Sequence, residues 1–125
     1  TSGRRSTWAR SRAPTSTATY ELPFYPARFD HAYEARDDCR EHISRPPSSY
    51  LAQMYFDTMV FDPVMLSTLV RRWGADHVLL GTDYPFDMGE DDPLGLLDRV
   101  EGLGDAERSM ISGGNAARLL GLRSL

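Results

Sequence analysis

Residues 78–90 read VLLGTDYPFDMGE. An apolar run, Val78 to Leu80, passes through a glycine and a threonine to a carboxylate at Asp83, then breaks at the aromatic–proline pair Tyr84–Pro85. The run is apolar without alternation, the pattern of a strand covered on both faces in a parallel sheet, and it predicts a strand over Val78 to Gly81. In such sheets functional side chains gather at the carboxyl ends of strands, where loops of variable length emerge, and Asp83 falls there. Gly81 permits close approach of backbone or ligand. Pro85 keeps Tyr84 extended, so the carboxylate is held in a stiff turn. Two roles fit it: a hard oxygen ligand for a divalent metal or a proton acceptor, or an Asx-turn whose side chain satisfies only its own backbone.

Working outward, YFDTMVF alternates apolar with polar and predicts a strand over Tyr55 to Phe61. Asp62 followed by Pro63 opens a helix, with an acid at the N-cap and proline at the first helical position. Leu66, Leu69, Val70 and Trp73 then follow at i, i+3, i+4 and i+7, and Gly74 supplies the stop. Downstream, Asp92 and Pro93 open a second such helix with Leu94, Leu97 and Val100 inward. Asp105 opens a third that Gly113 and Gly114 end, and Asn115 caps the short helix AARLL, closed by Gly121. Upstream, Asp30 to Ile43 reads as a polar helix stopped before Pro46 and Pro47, and Ser48 or Ser49 caps a short helix, YLAQM. Strand, helix, strand, helices implies an α/β fold built on a right-handed βαβ unit with parallel strands. Two parallel strands leave both sheet edges unpaired, so the chain reads as part of something larger.

Composition limits what that can be. The chain has 125 residues and is 41% hydrophobic, enough for one modest domain but far short of the about 250 residues of a (β/α)₈ barrel. No apolar run approaches the roughly 20 residues of a membrane span, and a net charge of −4 offers no electrostatic footprint for nucleic acid. The single cysteine, Cys39, excludes an internal disulfide and suits a reducing, cytoplasmic location. Residues 1–19 hold four arginines, nine Ser/Thr and no acid, and lack Val, Leu, Ile and Met. Such a segment cannot build a core. A transit peptide shares that composition but begins at an initiator Met, whereas this chain begins at Thr1. Residues 1–20 are therefore expected to be a disordered or aberrant segment and residues 21–125 the domain.

A metal site needs several ligands, and few are placed to cooperate. His77 lies six residues before Asp83, nearly 20 Å away at about 3.3 Å per extended residue. His31 and His42 are too far apart to share a helix face, and Cys39 with His42 makes only half a zinc site. There is no phosphate loop, and Ser112 in ISGGN is not in a nucleophile elbow. The run GEDD at 89–92 lacks the alternating oxygen ligands of a calcium loop and reads as a solvated lead into a helix cap.

Taken together, GTDYPFDMGE, YFDTMVFDP some twenty residues before it and the closing GGNAARLLGL resemble the C-terminal part of the amidohydrolase-related metal-dependent decarboxylases, over about Glu21 to Leu122. The resemblance implies the last two strands, with their helices, of a TIM-like (β/α)₈ barrel. It implies a divalent metal, usually zinc, held by an H-x-H pair, a further histidine and the eighth-strand aspartate that Asp83 matches. It implies that Asp83 is both catalytic and metal-binding, and that Arg36, in HAYEARDD, binds substrate carboxylate, reaching the site of a neighbouring subunit. Arg28 matches the arginine of the family's LP-x-x-x-x-R run. Bidentate guanidinium–carboxylate geometry suits that task, although an arginine on a polar helix is by itself a solvated charge.

The departures are as plain. Where the family has H-G-G-G, this chain has TSTATY before Glu21, and the H-x-H pair is absent. One aspartate cannot hold a catalytic zinc, which takes three protein ligands plus water. The resemblance thus implies loss of CO₂ from a small unsaturated or aromatic carboxylic acid by the parent barrel, with the isolated chain inactive. Hydrolysis of an amide or lactone on the same metal site is the nearest alternative, since a fold does not dictate its reaction. A non-catalytic partial barrel that pairs with another chain, whether a homo-oligomer or a complementing polypeptide, is the alternative from a different class.

Overall fold

The computed structural model describes residues 22–122, so the arginine-rich segment 1–20 lies outside the described residues. Its elements are α1 (Pro26–Ala35), α2 (Pro47–Leu51), β1 (Phe56–Asp57), α3 (Pro63–Trp73), β2 (Val78–Leu79), α4 (Pro93–Asp98), α5 (Asp105–Ser109) and α6 (Asn115–Leu119). Three-residue-per-turn segments at Asp37–Arg40 and Ala75–His77 and a π-helical turn at Met110–Gly114 complete the order.

The helix that crosses between the strands forms as its residues dictate. The Asp62 carboxylate accepts the Val64 N–H at 2.8 Å, Pro63 takes the first helical position, and Gly74 ends the run at a φ of 93° that favours glycine. Leu66, Leu69 and Val70 are buried. Trp73 packs its ring 5.4 Å from Phe56 and donates its indole N–H to the Pro23 carbonyl. This stripe meets Val78, Leu96, Leu97, Val100 and Ile111 in a single core. β1 and β2 run parallel, with Phe56 opposite Val78 and Asp57 opposite Leu79, as the βαβ reading requires.

Both strands are shorter than their sequence patterns suggest. β1 stops at Asp57 because the chain turns there: the Asp57 carboxylate accepts the Met59 N–H, Val60 N–H bonds the Thr58 carbonyl, and Phe61 takes a φ of 55°. β2 stops at Leu79 because later groups find partners outside the ladder, Leu80 N–H on the Ile111 carbonyl and Gly81 N–H on the Thr58 hydroxyl. Leu79 and Leu80 are only half-buried, short of full cover on both faces.

The helices also depart from the pattern in instructive places. The polar helix begins at Pro26, which favours the first helical position, and ends at Ala35 rather than spanning Asp30 to Ile43. Arg36 is extended, and local pairs from Arg36 to Asp38 and from Arg40 to Asp37 fold the next turn separately. Neither serine caps α2 with its side chain; the helix starts three residues earlier than the YLAQM pattern, at Pro47, and ends at Leu51, and the Asp30 carboxylate of α1 accepts the Ser48 N–H at 2.9 Å. In α4, Leu96 and Leu97 are fully buried while Leu94 is 54% exposed. With Leu96 inward, Leu94 lies about 200° around the axis, on the solvent side. Gly113 and Gly114 do not end α5. They stay in a π-turn that runs directly into α6, and Asn115 is an interior residue whose side-chain amide donates to the Ala75 and Val78 carbonyls at 2.7 and 2.8 Å. The widened turn lets the Ile111 carbonyl accept from Leu80 just beyond β2, a use typical of π-bulges. Gly121 closes the run at a φ of 67°.

Candidate active site

Asp83 follows the carboxyl end of β2 by four residues and lies on the surface. Its backbone sits in the left-handed region, at a φ of 51°, where a short polar residue is tolerated better than most. The loop beyond it closes on itself. Phe86 N–H bonds the Asp83 carbonyl, Tyr84 N–H the Thr82 hydroxyl and Glu90 N–H the Thr82 carbonyl at 2.9 Å. A Cβ at Gly89 would lie 2.8 Å from that same Thr82 carbonyl, so only glycine fits the neck. Tyr84, Phe86 and Met88 project from this loop at 87%, 74% and 78% exposure.

Among the described residues the Asp83 carboxylate accepts no hydrogen bond, so it is not spent on an Asx-turn of its own. Asp57 does make such a turn, on Met59 N–H at 3.1 Å. Asp57 is the residue that local sequence reading passes over. In YFDTMVF it looks like one more polar position of an alternating strand, and only the parallel pairing brings it to the same rim as Asp83. Its carboxyl is pushed above the usual aspartate range, first by burial and in part by the Asp83 charge, with the Met59 N–H opposing. The signal available in sequence is its place at the carboxyl end of β1, matching that of Asp83 beyond β2.

Arg36 stands elsewhere. It is exposed, and its guanidinium holds Asp38 through two bonds, Nε to Oδ1 at 3.0 Å and Nη2 to Oδ2 at 2.7 Å. Asp38 raises the guanidinium pKa still further, and Arg36 in turn lowers the Asp38 carboxyl. Among the described residues Arg36 shares no hydrogen bond or ion pair with Asp83. Arg28 lines an open groove of about 500 Å³ with Tyr25, Phe29 and Ala32. His77 is committed to structure, stacked 4.8 Å from Tyr55 with Nδ1 2.8 Å from the Met54 carbonyl. His31, His42 and Cys39 are exposed.

These residues offer one uncommitted carboxylate with a second beside it, and no group of three or more His, Cys, Asp or Glu among the described residues is placed to hold a metal ion. A catalytic ion takes three protein ligands and an open position, so the described residues do not hold one unaided. No described helix is long and apolar enough to cross a membrane.

Comparison with known proteins places this geometry. The amidohydrolase family model matches residues 6–122. The chain is 36% identical over 102 residues to a Dictyostelium discoideum protein named 2-amino-3-carboxymuconate-6-semialdehyde decarboxylase, covering 81% of this chain and 28% of that protein. It is 28% identical over 99 residues to the Caenorhabditis elegans protein of the same name, covering 78% of this chain and 25% of that protein. Its fold matches that of a dihydroxybenzoic acid decarboxylase from a Polaromonas species, solved with bound manganese and the inhibitor 2-nitroresorcinol. The TM-score is 0.68 at 26% identity, over 82% of this chain and 32% of that one. The chain therefore spans about a quarter to a third of the length of the proteins it matches. A family model that accounts for nearly the whole sequence, with an α/β fold shared by solved decarboxylases, leads to one assignment: this chain belongs to the amidohydrolase family.

Proposed function

We propose that the chain is the C-terminal part of a (β/α)₈ barrel whose complete form is a metal-dependent carboxy-lyase, removing CO₂ from a small aromatic or unsaturated carboxylic acid. The observation that carries this reading is the Asp83 carboxylate, exposed at the carboxyl-end rim of a parallel strand and accepting no hydrogen bond among the described residues, where barrel enzymes keep their chemistry. The names of the related proteins support the reaction class.

In this reading Asp83 is one ligand of a divalent cation, and residues outside the described segment supply the others. Zinc is the ion we propose; manganese is the one bound in the Polaromonas decarboxylase. Arg36 or Arg28 pairs with the substrate carboxylate. For Arg36 this requires exchanging Asp38, an exposed partner, for the substrate, a swap that costs little because exposed ion pairs are weak.

The test is exchange of residues 21–122 into the Dictyostelium relative, with which this chain aligns over 102 residues. The chimera should retain decarboxylation. A folded chimera that hydrolyses an amide or lactone but releases no CO₂ contradicts the reading.

A second reading, a partial barrel that completes itself with another chain, is favoured by the two-stranded sheet with half-buried Leu79 and Leu80. Size-exclusion chromatography with light scattering separates the two. A cooperative monomer argues against pairing, and a stable dimer supports it.

A further inference from the structure

We propose that Thr58 is the positioning residue of this site: its hydroxyl, rather than the backbone ladder, fixes the end of β2 and so sets where Asp83 leaves the sheet. The inference rests on the reading of Asp83 as the functional carboxylate. The backbone pairing ends at Asp57 opposite Leu79. Beyond it the Thr58 side chain takes over, accepting the Gly81 N–H at 3.1 Å and donating to the Gly81 carbonyl at 3.3 Å. Thr58 is 1% exposed and Gly81 is half-buried, so water reaches these bonds poorly, and losing them leaves polar groups short of partners.

The contact needs Gly81 as well. A Cβ there would stand 3.1 Å from the Asp57 Cβ and 3.3 Å from the Met59 Cγ. The strand ends therefore approach closely at this point, and a side chain here would have to push Asp57 or Met59 aside. One residue on, the Thr82 carbonyl is tied to the Glu90 N–H at 2.9 Å. The two residues preceding Asp83 are thus each held by a hydrogen bond from a separate segment, and Asp83 leaves from a fixed platform beside Asp57. Without the hydroxyl the Gly81 amide and carbonyl lose their partner, and of the two residues before Asp83 only Thr82 stays tied to a separate segment.

Hydrogen exchange and carboxyl ¹³C NMR on the isotopically labelled native chain test this without metal or substrate, so failure of the metal reading leaves the outcome independent. The Gly81 amide of the native chain should exchange at least about tenfold more slowly than in a free peptide, as a bonded, half-buried amide does. Thr58→Val, which keeps the shape and removes the hydroxyl, should accelerate Gly81 about tenfold relative to Val78 and Leu80 and move the Asp83 carboxyl resonance. Thr58→Ser should restore both. A Thr58→Val chain that is less stable overall, yet whose Gly81 exchange stays in step with its neighbours and whose Asp83 resonance does not move, reduces Thr58 to a packing residue and overturns the inference. Should that variant not fold, the native chain decides: a Gly81 amide exchanging at the free-peptide rate overturns the inference equally.

Discussion

A carboxylate in a polar turn ordinarily bonds the backbone that follows it, as Asp57, Asp62 and Asp92 do here. Asp83 does not, and that difference separates a candidate for chemistry from three residues that shape the chain. Its position was legible in the sequence, because an apolar run ending in a carboxylate before proline locates a strand end from local residues alone. Its neighbour was not legible, because Asp57 lies 26 residues away and only the parallel register unites them. The pair makes a pH prediction. Folding raises the Asp57 pKa above its ordinary 3.8, burial being the main cause. A carboxyl raised in this way contributes its full stability below the ordinary value and loses it as the pH rises through the raised one. Asp57→Asn should therefore unfold at higher urea than the native chain at about pH 7 and lose that advantage by about pH 3, and identical midpoints at both would show that Asp57 ionises freely.

At the scale of elements, the helices begun by acid and proline were legible because cap, first-turn proline and apolar stripe all lie within one short window. Asp62→Ala should cost about 1 kcal/mol by chemical denaturation, and Leu66→Ala about 2–5 kcal/mol, since Leu66 is fully buried. The element ends that escaped prediction are those decided by distant partners. Two glycines before an asparagine signal a helix stop, yet Asn115 finds two buried carbonyls of the segment around β2, and the helix runs on through a π-turn to deliver it. Asn115→Ala should thus cost about 2–3 kcal/mol, more than an exposed cap, by leaving both carbonyls without that donor. A loss no larger than that of Asp62→Ala would show that the asparagine is incidental to the join. The strand ends follow the same logic, since a threonine hydroxyl replaces the ladder at Gly81 and no local pattern announces it.

At the scale of the whole molecule, one core joins α3, β2, α4 and the π-turn, while the chain matches only 28% of the length of its Dictyostelium relative. The family was legible because GTDYPF, YFDTMVFDP and GGNAARLLGL occur together. The purified chain supplied with zinc should release no CO₂ from a carboxymuconate-type acid, since a catalytic ion needs three protein ligands; measurable release would mean that the chain completes a site by itself. The most direct measurement is the metal content of the Dictyostelium chimera carrying residues 21–122 of this chain, with and without Asp83→Asn. Stoichiometric metal is expected in the unsubstituted chimera and its loss, together with decarboxylation, on substitution at residue 83; full metal and an unchanged rate after Asp83→Asn would show that Asp83 holds no ion.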